Sequence, residues 1–250
     1  MPHGGLITLP IVVLNIALCL FSLGYVAMHA GAMGFAVVWL VPLTVALWYL
    51  ADVISGAVHW SLDTWFSETS FADRLIAVAR EHHTHPQNIL KYGFFERATL
   101  GSIPSVAVLG PLAMVLAVQA PSTATVFGMY GVLMLAASLL FGTDFHNFGH
   151  RWAGSSLGRA LQRGHIVLTP AHHMRHHRGD HTTHYCTLNG WANPMCDRLK
   201  VWRRLERTIA AATGAEPRRN DREWAHHFET TGRLPAIPSD ATLYGKRRPR

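Results

Sequence analysis

Basic residues are missing from two long stretches of this 250-residue chain: no Lys or Arg occurs from Met1 to Asp73, and none from Ala98 to His150. All 22 lie in two blocks, four between Arg74 and Arg97 and eighteen from Arg151 onward. Charged residues make up 15% of the chain, against about 25% in ordinary soluble domains, while hydrophobic ones reach 49%. That composition excludes a disordered chain and argues against a water-soluble globule. Cysteine is scarce as well. Cys19, Cys186 and Cys196 stand far apart, which excludes a disulfide scaffold and a CxxC zinc ribbon. The net charge of +7 would suit nucleic acid, but its segregation from the apolar runs argues otherwise. The chain carries no nucleotide loop, no Gly-x-Ser-x-Gly elbow and no dinucleotide fingerprint.

Within the uncharged stretches lie four apolar runs, near 7–28, 33–57, 99–119 and 123–143, each of about the 20 residues that cross a bilayer core. A Gly/Ala turn near Gly31 separates the first two, and Gln119-Ala-Pro-Ser-Thr123 the last two. The pattern predicts an all-α, polytopic membrane protein of about four transmembrane helices with a His-rich helical cap. The positive-inside rule places both charged blocks, and with four spans the N-terminus too, in the cytoplasm. Cys186 and Cys196 are then reduced thiols. Residues 1–212 read as one membrane-embedded domain, and 213–250 as a basic, partly flexible tail ending Lys246-Arg-Arg-Pro-Arg250.

Histidine (17) outnumbers Asp plus Glu (15), and thirteen of the 17 fall between His59 and His184. They gather where the second and fourth runs end. Asp52, His59 and Asp63 share one helical face, since seven residues turn nearly two circuits and four slightly more than one. Two readings of Asp52 stand: a satisfied structural carboxylate, or a partner that orients a metal-bound imidazole. Ser70-Phe-Ala-Asp73 starts a short amphipathic helix that ends Arg80-Glu81-His82-His83-Thr-His85-Pro86. Adjacent rings point about 100° apart on a helix, so His82 and His83 can serve two metals, or one metal and a structural contact.

His146 and His150 are an i,i+4 pair. Thr169-Pro170 caps a helix carrying His172, His173, His176 and His177, with 172/176 and 173/177 at i,i+4. One zinc is filled by four ligands, or three and water, so eight or more imidazoles point to a dinuclear centre. Imidazole suits iron, zinc, copper and nickel alike, and the residues do not name the metal. A non-redox metal transporter or sensor is the alternative of another class, although transporters place ligands near the bilayer midplane rather than at one face.

Five motifs, Asp52-Val-Ile-Ser-Gly-Ala-Val-His-Trp-Ser-Leu-Asp-Thr-Trp65, Arg80-Glu-His-His-x-x-Pro86, His146-x-x-x-His150, His172-His-x-x-His-His177 and His181 with Thr183-x-x-Cys186 and Gly190-Trp191-x-Asn193, resemble the Kua/CarF lipid desaturase family. The match runs from about Leu50 to Asp197 with the motifs in order. The resemblance implies a membrane-embedded enzyme with two iron ions (a di-iron centre) and O2 as co-substrate. It also implies an electron donor of cytochrome b5 or ferredoxin type and a cytoplasmic active site. The family's best understood activity is plasmanylethanolamine desaturation in plasmalogen biosynthesis, and plant plastid acyl desaturases are more distant relatives. An acyl-chain desaturase or hydroxylase is therefore the second implied activity.

Carried onto this chain, the implied ligands are His59, His82, His83, His146, His150, His173, His176 and His177, with His172 and His181 as additional members. Asp52, Asp63, Glu81, Asp144 and His165 are the candidates for supporting them from behind. His85 stands where the family usually has Asp, and His184 replaces an aromatic residue.

Overall fold

The computed structural model describes residues 5–65, 82–83, 86–178 and 181–217. Helices dominate, and no strand occurs among the described residues. The short helix expected over 70–80 and the tail beyond 217 lie outside them, as do Glu81 and His85. The chain divides into two compact units, residues 1–53 with 92–146 and residues 54–91 with 147–250.

Unit one holds α1 (Gly5–His29), a 3₁₀ stretch (Ala30–Trp39), the start of α2 (Leu40–Thr64), α3 (Phe94–Pro104), a π turn (Ser105–Leu109), α4 (Gly110–Ala117), α5 (Thr123–Leu140) and the start of α6 (Gly142–His150). Its surface is apolar, unlike that of a soluble globule. On α1, Leu14, Leu20 and Leu23 are exposed while Asn15 and Ser22, seven residues and about two turns apart, are fully buried. The Asn15 amide donates to Ser102 Oγ at 3.1 Å and its carbonyl oxygen accepts from Ser105 Oγ at 2.7 Å. Such polar contacts join helices where apolar surface faces lipid and gives no net drive to associate.

Pro104 and Pro111 flank the π turn. Each lacks an N–H, and the widened turn is where the ladder re-registers between them. Around Met129, Val126, Val132 and Ala136 of α5 pack Tyr25, Met33, Leu109 and Ala113.

Among the described residues, three helical stretches are long and apolar enough to cross a membrane: Leu9–Thr64, Phe94–Ala117 and Thr123–Leu140. The last two correspond to the third and fourth apolar runs, and Ser122 caps α5 through Thr125 as the Pro-Ser-Thr break predicts. The first two runs fall within one apolar stretch of 56 residues, where the 3₁₀ segment Ala30–Trp39 parts α1 from α2. Gly34 interrupts it with a non-helical φ of 49° and ψ of −132°.

Unit two contains the end of α2 and of α6, a 3₁₀ turn (Pro86–Lys91), α7 (Ser156–Arg163), α8 (Pro170–His173), α9 (Asn193–Arg198) and α10 (Val201–Thr213). Much of its chain is irregular, so buried amides must saturate buried backbone. Gln162, fully buried, accepts from the Ala153 N–H at 2.8 Å and donates to the carbonyls of Phe148 and Arg151 at 2.9 and 3.1 Å. Asn193 does the same for Cys186, accepting from its N–H at 2.8 Å and donating to its carbonyl at 2.9 Å. On α10, Trp202 and Glu206 sit one turn apart and face inward, where Trp60 Nε1 donates to Glu206 at 3.2 Å. These clamps hold the loops that carry the histidines.

Candidate metal centre

His59 and Asp63 lie one turn apart on α2, and both are buried. His82 and His83 are adjacent and buried, and each enters a different donor group. His150 ends α6, and beside it Gly149 leaves room that a Cβ would not: that atom would stand 2.7 Å from Leu168 and 2.8 Å from the His173 side chain. Thr169 caps α8, its hydroxyl accepting from the His172 N–H at 3.3 Å, and Pro170 follows in the first turn. The sequence predicts one regular helix through His177. The structure ends α8 at His173 and continues in turns to Arg178.

The result is two groups of donors. In one, His82, His150, His173 and His177 each offer a ring nitrogen, all within 4.8 Å of one another. His173 Nε2 lies 3.1 Å from His150 Nε2 and 2.9 Å from His177 Nε2. In the other, His59, His83, His176 and Asp63 converge in the same way. Asp63 Oδ2 stands 3.3, 3.4 and 3.6 Å from Nε2 of His59, His83 and His176. The groups adjoin, with ring centroids of His82 and His83 4.6 Å apart and of His173 and His176 5.8 Å apart.

Proton placement decides what these groups can do. His59 Nδ1 lies 3.1 Å from the Tyr185 carbonyl and His176 Nδ1 2.8 Å from the Thr183 carbonyl. A carbonyl only accepts, so both Nδ1 atoms carry the proton and both Nε2 atoms present lone pairs. Lone pairs and a carboxylate aimed at one point repel unless a cation lies between them. Four donors about 2.1 Å from a tetrahedral ion stand about 3.4 Å apart, and the separations here bracket that value. Burial also favours neutral rings: it pushes His150 down to about 4, helped by the nearby His59 and His83, and holds His176 and His177 well below the ordinary range.

His146 is buried one turn before His150 on α6, the spacing the sequence shows. Other predicted residues are placed differently. Asp63, expected behind a ligand, has its oxygen among the donor atoms themselves, because i,i+4 on α2 carries it to the side of His59. His181 stacks on His83 at 4.3 Å instead of adding a nitrogen to either group. His172 turns away: Asn193 donates to its Nε2 at 3.0 Å, against Gly190, whose φ of 81° and missing Cβ make room for the ring.

His165 is exposed, with a left-handed φ of 54°. His184 pairs with Asp197 at 3.0 Å. Asp144 is engaged by Arg97, whose Nε donates to it at 3.0 Å, and Asp52 is fully buried on α2. Sequence reasoning missed the carbonyls of Thr183 and Tyr185. A backbone acceptor leaves no mark in side-chain spacing.

Residues 48–220 match the lipid desaturase domain. The chain is 36% identical over 188 residues to plasmanylethanolamine desaturase 1 of Mus musculus, covering 72% of this chain and 68% of that protein. It is 32% identical over 190 residues to plasmanylethanolamine desaturase of Myxococcus xanthus, covering 75% and 66%. With fatty acid desaturase 4, chloroplastic, of Arabidopsis thaliana it shares 30% over 172 residues, 68% of this chain and 51% of that one. The chain thus spans about two thirds of the length of the plasmanylethanolamine desaturases it matches. No solved structure matches. With its paired donor groups and its apolar helices, the chain belongs to the lipid desaturase family.

Proposed function

We propose that this chain removes two hydrogens from carbons 1 and 2 of the sn-1 alkyl chain of a plasmanylethanolamine lipid, leaving the vinyl ether of a plasmalogen. The observation that carries the reading is the pair of adjoining donor groups, one of imidazoles alone and one of imidazoles with a carboxylate, a donor chemistry that suits iron. His59, Asp63, His83 and His176 would hold one iron, and His82, His150, His173 and His177 the other, with His146 beside His150. His172 and His181 then support rings rather than bind metal. Bound as a pair, the irons would supply the oxygen activation that an unactivated C–H bond requires.

The chain's own contribution is placement and exclusion. The carbonyls of Tyr185 and Thr183 keep the protons on Nδ1 of His59 and His176, so their Nε2 atoms stay available. Tyr185, Leu168 and Leu188, each nearly sealed from solvent, contribute to a dry surround that limits side reactions with water. In this reading the 56-residue stretch crosses the bilayer twice with its break at Gly34, giving four spans and a cytoplasmic site. Residues 1–212 form the catalytic domain, 213–250 a basic tail, and a cytochrome b5-type or ferredoxin-type protein supplies electrons.

Expression in a host supplied with alkyl ether phospholipids tests it: acid-labile vinyl ethers should appear in the lipid extract. Their absence, with iron bound and a competent donor present, overturns the assignment. The similarity to fatty acid desaturase 4 of Arabidopsis thaliana favours a second substrate, an acyl chain of a glycerophospholipid. A new acyl double bond in the same extract, without vinyl ether, would select it.

A further inference from the structure

Between Arg198 and Arg207 the chain carries five cations, Arg198, Lys200, Arg203, Arg204 and Arg207, and one carboxylate, Glu206. Arg198, Lys200, Arg204 and Arg207 are exposed. Glu206 is buried and accepts from Trp60 at 3.2 Å and from Arg203 at 3.1 Å. From Arg198 to Arg207 the chain therefore presents a cationic ridge whose one acid is turned inward, and Asp197, just before it, is paired with His184 at 3.0 Å. Beneath it, Trp202 packs on Tyr185 with ring centroids 5.7 Å apart. Tyr185 in turn lies 5.1 Å from His176 and 5.7 Å from His59. Two buried aromatic rings thus lead from the base of the ridge to the donor group that contains Asp63.

We infer that this ridge is the docking surface of an acidic, one-electron carrier protein, which feeds the metal centre through the Trp202–Tyr185 contact. The inference rests on the desaturase reading. Desaturation converts –CH2–CH2– and O2, with two electrons and two protons, into –CH=CH– and two waters. The lipid gives up two of the four electrons that O2 takes, and two successive dockings of the carrier supply one each.

A carrier of opposite charge is steered to such a ridge, with an attraction that salt weakens. A second basic segment of the same unit offers the contrast. Arg151 and Arg163 are exposed beside Trp152 (52% exposed) and Leu157 (69%), and beneath them Gln162 bonds to backbone. Leu199 (47%) and Leu205 (40%) are exposed on the ridge too, so the difference lies beneath the two segments: the interior contacts of Gln162 are to backbone, not to a ring of the metal centre.

The test uses the full chain in nanodiscs of phosphatidylcholine, without O2 or ether lipid, titrated with an acidic cytochrome b5 haem domain and with an acidic [2Fe–2S] ferredoxin. At least one should bind, and Arg204→Glu/Arg207→Glu should raise its Kd by about tenfold or more. That difference should vanish near 1 M salt, where the Debye length is about 3 Å. Arg151→Glu/Arg163→Glu should leave Kd within about twofold, since those charges lie on the other basic segment. An unchanged Kd in the first variant, an equal loss in both, or binding by neither carrier overturns the inference. So does a first variant that loses only its affinity for phosphatidylglycerol vesicles, because the ridge would then face lipid. Equilibrium binding needs no turnover, so failure of the vinyl ether test leaves it readable and separate.

Discussion

The two donor groups are built around the same side chain and held in different ways. Around Asp63, three imidazoles meet one carboxylate, and two of the rings are locked by backbone carbonyls of residues 183 and 185. Around His173, imidazoles alone meet, with Nε2 atoms 2.9 and 3.1 Å apart. A carboxylate brings a full negative charge to a buried site, where charge is felt strongly. The Asp63 group would therefore neutralise more of a bound cation's charge, and the His173 group depends on ring placement alone.

The largest effect is expected where one ring touches most of its group. His173 Nε2 faces both His150 and His177, and Gly149 is shaped to its side chain. His173→Ala should empty the imidazole group, taking bound iron from about two per chain to about one, and abolish vinyl ether formation. Iron analysis of the purified chain beside lipid analysis of the same cells checks it. Retention of both irons would mean that His173 binds neither.

Asp63→Asn addresses the other side of the comparison. It keeps the shape and removes the charge, so the affinity of the Asp63 group for iron should fall by more than about 10–100-fold, the range for residues that only orient a ligand. The His173 group should keep its ion, and Asp63→Glu should restore part of the loss. Equal loss from both groups, read by iron titration with spectroscopy that separates two sites, would show that they are not independent.

How much of this was legible in the sequence follows from the kind of force involved. The apolar helices were visible because length and hydropathy are local properties, and the last two runs reappear as Phe94–Ala117 and Thr123–Leu140. That His82 and His83 could enter different groups was visible, because adjacent helical positions face different ways. The 3₁₀ segment between the first two runs and the π turn at Ser105–Leu109 were not, since both depend on how the backbone re-registers in context. Asp63 was legible as a neighbour of His59, but its depth among the nitrogens comes from residues 83 and 176, far along the chain. His165, His181 and His184 adopt left-handed φ values of 51–59°, which histidine rarely takes and which no periodicity announces.

Acidification gives a smaller effect of known sign. Burial holds His150 and His172 near 4, against 6.5 for an ordinary histidine. Between those values the unfolded chain binds more protons than the folded one, so stability rises with pH. The metal-free chain should be most stable above pH 6.5 and lose stability steadily toward pH 4. Thermal midpoints from pH 7 to 5 measure it, and a flat profile would mean that these rings are open to water.

The smallest expected effect probes the boundary of the comparison, because His172 looks like a ligand by spacing and is placed outside both groups. Its Nε2 accepts from Asn193, the residue whose amide also closes on both backbone groups of Cys186. His172→Ala leaves one amide proton of Asn193 without that acceptor and keeps the two bonds to Cys186. The cost should be about 1 kcal/mol, the scale of a single hydrogen bond, and it should appear as a lowered thermal midpoint. Iron per chain and the vinyl ether yield of the folded fraction should stay unchanged, because no nitrogen of either group is removed. Loss of an iron in this variant would return His172 to the ligand set, and the division into three imidazoles with a carboxylate and imidazoles alone would have to be redrawn.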